Sequence, residues 1–418
     1  MDLIFIIRET DISNIFSHTF INMESKKFRV RSIDILRALT MLLMIFVNDL
    51  WSLKNIPGWL EHAAANEDKL GFADTIFPAF LFIVGMSIPL STEHRKQKGD
   101  NNKIILLHIL QRSFALIVMG VWLVNGEEIN EPASGIQRLP WNLICVSCFI
   151  ILWNTWPRNI NKFLLRTLQL IAIGALLFLA FTYRSGEEGN IHHFAPHWWG
   201  ILGLIGWAYL IVAVLYVFAP TKYLILSGAW LLFLFLCIAS HAGWIERHSL
   251  LSIIISPFGV GSMPAFVMGG LLTTLLFLYF RQHNQVNKML IYLFLIAVVF
   301  LIGGFYCRTF WGISKIRATP AWVLICSAIT IAAFIIIYWV ADVKAKASWF
   351  NLILPAGTNT LLCYLLPYYA YDIPIMFHLH LPEAILTGVT GLLKSFIFAL
   401  VIVMITGWFE KRNIRLKL

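Results

Sequence analysis

His62 stands in a polar stretch between two apolar runs, and Asn48 and Asp74 sit where those runs end and begin. A histidine side chain titrates near neutral pH and can take a proton from an attacking nucleophile. A carboxylate such as Asp74 can hold an imidazole in one tautomer. An amide such as Asn48 can donate to a developing oxyanion. The three residue types suit acyl transfer to an amine. A solvated loop histidine is the bland alternative, and residue types alone leave both readings open.

The elements that must position these residues are apolar. The chain has 418 residues, 59% hydrophobic and 13% charged, with a mean hydropathy of +0.76. A soluble domain carries about a quarter charged residues, so the surplus apolar surface must face lipid. The expected fold is an all-α polytopic transmembrane bundle. Candidate spans fall near 33–53, 72–91, 104–125, 141–156, 163–183, 199–218, 222–240, 263–280, 288–306, 320–341, 350–371 and 384–408. The fourth is short, and Pro367 should interrupt the eleventh, which gives 10 to 12 spans. The division is an N-terminal segment 1–30, a membrane domain 31–408 and a basic tail 409–418. No cleavable signal peptide is read, and Met23 is a second candidate start. No inverted repeat is visible, which weighs against common secondary-transporter folds.

The formal net charge of +10 sits between the apolar runs. It therefore reads as positive-inside topology, not nucleic-acid binding. With the N-terminus inside, about 20 Lys and Arg fall in inside segments and about 8 outside. That balance puts both termini in the cytoplasm. Arg308, Lys315 and Arg317 crowd one outside loop against the trend. Either a neighbouring span is miscounted or these charges serve a ligand.

Charges within apolar runs are functional candidates by default. Asp34 and Arg37 are three apart and share a helix face, either as a structural ion pair or to orient a cofactor. His108 and Arg112 could face phosphates or snorkel. Lys394 lies near the middle of the last run and needs a carboxylate, a carbonyl or a water-filled cavity. Asp342 reads as interfacial. His192, His193 and His197 share one loop, and His378 and His380 precede Glu383 in another; neither spacing is a strong metal motif. Cys145 and Cys148 form a lone C-x-x-C in apolar surroundings and read as small buried side chains. No metal is expected.

The segment Arg31-Ser32-Ile33-Asp34-Ile35-Leu36-Arg37-Ala38, then Val47-Asn48, His62-Ala63 and Asp74 through Gly85, resembles the transmembrane acyltransferases related to heparan-alpha-glucosaminide N-acetyltransferase. Later matches are Thr319 to Trp322, Tyr338 to Val343 and Ala356 to Tyr364. Ala38 stands where the family has glycine. The stretch from Ala63 to Lys69 is longer than the family's turn into the second helix, and that loop should shape the acceptor's site.

The resemblance implies an acetyl-CoA co-substrate approached from the cytosol and transfer to the amino group of a terminal glucosamine outside. It carries the catalytic histidine onto His62 and the nearby asparagine onto Asn48, with Asp74 beside them. Arg31, Asp34, Arg37 and Arg112 are assigned to the cofactor. Glu61, Lys315, Trp322 and Asn359 are assigned to the acceptor. The setting it implies is a bacterial inner membrane, with a homodimer left open. Rival readings are an amino-sugar transporter and an O-acetyltransferase of a surface glycan.

Overall fold

Apolar runs of 16 to 26 residues must satisfy their own backbone groups in lipid, and the α-helix does so within one segment. A computed structural model describes residues 30–416 apart from 158, 188, 221, 247, 248 and 380. The N-terminal segment expected over 1–30 lies outside the described residues but for Val30, as do Arg158, Arg247, His380 and Lys417.

Twelve long helices are described: α1 (Arg31–Asp49), α2 (Ala73–Gln97), α3 (Asn102–Glu127), α4 (Arg138–Trp153), α5 (Lys162–Thr182), α6 (Ile201–Phe218), α7 (Tyr223–His241), α8 (Ser262–Gln282), α9 (Val286–Trp311), α10 (Pro320–Tyr338), α11 (Thr360–Met376) and α12 (Gly388–Lys411). Each answers one expected segment. Among the described residues nine helices are long and apolar enough to cross a bilayer. The other three are α4 and α11, at 16 and 17 residues, and α1, which carries Arg31, Asp34, Arg37 and Asp49. The protein is an integral membrane protein. Helices α5, α7 and α9 present much of their apolar surface outward, with Phe163 80% exposed; lipid is the solvent that accepts such a belt.

The eleventh segment does break, but at Asn359 and not at Pro367. A short helix Leu354–Thr358 ends there, and α11 then runs through Pro367. Neighbouring helices can re-satisfy the backbone groups a proline frees. Sequence reading also missed the short helical turns at 250–261 before α8. Gly261 has a φ of 93°, and a Cβ there would lie 2.4 Å from the Phe233 carbonyl oxygen. Only glycine lets α8 begin partway along α7.

Close packing fixes the centre. A Cβ on Gly85 of α2 would meet the Val267 carbonyl oxygen at 1.8 Å, and one on Gly270 of α8 would meet that of Phe82 at the same distance. Bare backbone therefore lets these helices touch directly. Around this contact, α1 packs on α2, α2 on α6, α6 on α3, α3 on α4, α4 on α11, and α11 back on α1. The six close a ring.

Candidate active site

One stripe of α1 carries Asp34, Arg37, Met41 and Asn48, spaced three, four and seven apart on one helical face. Arg37 locates that face: it donates to Ser87 Oγ on α2 at 2.6 Å and to the Gly357 carbonyl at 3.3 Å. Met41 is buried at mid-depth. Asp34 and Arg37 keep 17% and 24% of their side chains accessible at one end, and Asn48 is exposed at the other. From Asp34 to Asn48 the stripe rises roughly 21 Å.

At the Asn48 end, His62 stands against Asp74. His62 Nδ1 and Asp74 Oδ1 are 2.6 Å apart. Asp74 is buried in the first turn of α2, where its other oxygen accepts from Ala63 N at 3.0 Å and Gly71 N at 3.1 Å. An ionised carboxylate only accepts, so the close Nδ1 carries a proton, and in the neutral imidazole the lone pair is then on Nε2. Lys315 Nζ approaches the same Nδ1 at 3.3 Å. Burial pulls the Lys315 ammonium below the ordinary lysine range, while the Asp74 charge pulls it back up.

The imidazole is 45% exposed and opens on a cleft of about 360 Å³ lined by Val47, Asn48, Leu50, Trp51, Glu61, His62 and Ala73. The lining comes from the end of α1, the loop after it and the first residue of α2, so Asn48 and His62 face one space. No metal-binding group of three or more His, Cys, Asp or Glu occurs among the described residues.

The long loop after His62 is pinned from α9. Asp68 accepts from Arg308 Nε at 2.8 Å and from Ile313 N at 2.7 Å. Arg308 thereby finds its carboxylate, and Lys315 comes from the same crowded loop to His62. The charges that ran against the topology trend hold this site together. Sequence reading had no sign of the Asp68 pairing.

Several assigned residues stand elsewhere. Trp322 is fully buried behind the site, where its Nε1 donates to the Asp74 carbonyl at 3.0 Å; it positions the start of α2 and has no surface for an acceptor. Asn359 lies at the opposite end, buried, where it donates to the Ile414 carbonyl and accepts from Leu416 N. It staples the C-terminal tail, so it does not join Glu61 and Lys315. Asp342, read as interfacial, accepts from Ser32 N at 3.1 Å and caps the start of α1. Arg31 is exposed beside that cap. Arg112 lies over the Tyr209 ring at 4.7 Å, a cation–π contact across the α3–α6 interface. Lys394 finds its carboxylate in fully buried Asp49, at 2.8 Å, with Ser52 Oγ at 3.2 Å.

Comparison with known proteins falls on this same stretch. Residues 29–130 match the family model described as heparan-alpha-glucosaminide N-acetyltransferase, catalytic. Over 110 residues the chain is 37% identical to the heparan-alpha-glucosaminide N-acetyltransferases of Homo sapiens and Mus musculus. Over this segment the chain is similar to that family. The alignment covers 25% of this chain and 15% of each curated relative. The segment matched to the heparan-alpha-glucosaminide N-acetyltransferase family runs from α1 through α3. It therefore holds Asp34, Arg37, Asn48, His62, Asp74 and Arg112, while Lys315 and Lys394 lie beyond it.

Proposed function

We propose that this protein is a transmembrane acyltransferase that moves acetyl from acetyl-CoA to the amino group of a glucosamine-type sugar. The observation that carries the reading is the 2.6 Å His62–Asp74 contact opening on a cleft shared with Asn48, inside the segment matched to a catalytic family model.

In the direct route, His62 Nε2 takes a proton from the acceptor amine as its nitrogen attacks the thioester carbonyl. The Asn48 amide donates to the oxyanion. The C–S bond breaks, the leaving thiolate takes the proton from Nε2, and the products are the N-acetyl sugar and free CoA. In the relay route, Nε2 attacks the thioester, the C–S bond breaks and CoA leaves as thiolate; the amine then takes the acetyl from Nε2, its proton passing to the freed imidazole, which gives ping-pong kinetics. Asp74 serves both by fixing the tautomer. Lys315 places positive charge beside this pair and, with Glu61, borders the acceptor.

The CoA nucleotide would meet Arg31, Arg37 and Arg112 at the Arg31 end, with its pantetheine along the α1 stripe toward Asn48. The α1 stripe supports that path, since its two ends are polar and accessible. The positive balance supports a cytoplasmic Arg31 end, both termini inside and an extracytoplasmic His62 end. A bacterial inner membrane fits that arrangement.

His62→Ala in purified protein, assayed with acetyl-CoA and glucosamine, tests the proposal. Turnover should fall by about a thousandfold or more, since loss of the base removes a role worth about 10²–10⁴ together with its place in the triad-like unit. Full turnover in the variant would remove His62 from catalysis. Acetylated wild-type protein trapped without acceptor would favour the relay.

A further inference from the structure

Beside the cleft, α11 turns a second polar face toward the ring. Tyr364, Tyr368, Tyr371 and Asp372 fall within roughly 100° of one another on that helix. Tyr371 meets Trp51, a cleft residue, edge-on at a centroid distance of 6.2 Å. The Tyr364 and Tyr368 rings are 6.4 Å apart, and both side chains keep some accessibility. Asp372 is 6% exposed, and its Oδ2 has no hydrogen-bond partner. Asn142 of α4, also buried, stands beside that carboxylate. Glu127 at the end of α3 is within electrostatic reach of Tyr364, Tyr368 and Arg138. Three helices thus supply two carboxylates, an amide and an edge-to-face tyrosine pair around one face of α11, whose Tyr371 touches Trp51 at the cleft.

A buried carboxylate oxygen without a partner costs free energy unless something donates to it. The groups nearby are the Asn142 amide, the Arg138 guanidinium, tyrosine hydroxyls and ring faces. Together they match a polyhydroxylated ring: hydroxyls donate to carboxylates and its C–H face lies on an aromatic ring. A plain alkylamine carries none of those hydroxyls, so it can use the cleft without the sugar contacts.

We propose that Asp372, Glu127, Asn142 and the Tyr364–Tyr368 pair form a sugar-binding recess, which holds the hydroxylated body of the acceptor while its amine reaches His62 across Trp51. This rests on the acyltransferase reading and assigns acceptor specificity to residues beyond the catalytic cleft.

The test compares two acceptors, glucosamine and a plain alkylamine, in wild-type protein and in Asp372→Asn and Glu127→Gln. Each variant should lower kcat/KM for glucosamine about tenfold, the size of one lost charge-assisted hydrogen bond. The KM for acetyl-CoA and kcat/KM for the alkylamine should stay near wild type. Loss for both acceptors alike would mark a structural role and overturn the recess. An unchanged glucosamine-to-alkylamine ratio in both variants would overturn it too. Glu127 is exposed, so Glu127→Gln keeps the test alive if Asp372→Asn does not fold. Wild-type protein that acetylates neither amine would defeat the acyltransferase reading instead. In that case loss of glucosamine binding in Asp372→Asn, read by calorimetry, would still support the recess, and retention would overturn it.

Discussion

The two ends of the α1 stripe use the same kinds of residue for opposite purposes. At the Arg31 end, most polar groups bond within the fold, while Arg31 and part of Arg37 stay accessible. Asp342 caps α1, Arg37 bonds Asp34, Ser87 and Gly357, and Asn359 holds the tail. At the His62 end, only the supporting groups are consumed. Asp74 spends both oxygens on the imidazole and the loop, while Asn48 and Glu61 stay open to the cleft. A polar residue in a membrane protein signals function by the valence it keeps, not by being there.

The sharpest way to break that contrast is Asp74→Asn. The amide cannot hold the Nδ1–H tautomer as the carboxylate does, so turnover should fall by about 10²–10⁴-fold. The rate at saturating acetyl-CoA and glucosamine checks it, and near-wild-type turnover would mean the contact is structural only.

A second expectation concerns Lys394, whose partner Asp49 adjoins the cleft residues Asn48 and Leu50. Lys394→Ala strands a fully buried carboxylate and should cost about 3–5 kcal/mol of stability. The thermal midpoint in detergent reads this loss. Asp49→Asn on the same background should recover part of it; an unmoved midpoint in the single variant would refute the pairing.

The smallest effect is expected at the loop clamp. Hydrogen bonding from Arg308, then from Ile313 N, holds the Asp68 carboxyl below the usual carboxylate range. A depressed folded pKa means its contribution is present above the unfolded value near 3.9 and is lost as pH falls through the folded one. The pair is largely exposed, so Asp68→Asn should cost under about 1 kcal/mol. Its stability difference from wild type should vanish in strong acid, and a difference that grew there would reverse the assignment.

Much of this was legible in the residues. Helix number and position followed from apolar run length, because lipid leaves the backbone no other partner. That Asn48, His62 and Asp74 could lie close together followed from their order at the ends of two apolar runs. The Pro367 break did not hold, because a proline's cost depends on what packs beside it. The roles of Trp322 and Asn359 were misread for the same reason. Their motifs are visible in the chain, but burial is a property of neighbours.

The amino-acid sequence by itself determined the membrane solvent, the helices and the stripe on α1, since each depends on local composition and a 3.6-residue period. Only the tertiary structure decided which charges meet. Asp49 and Lys394 are 345 residues apart, Asp68 and Arg308 240, and His62 and Lys315 253. No local period links such pairs, and ion pairing over a few ångströms depends on where the bundle brings each side chain.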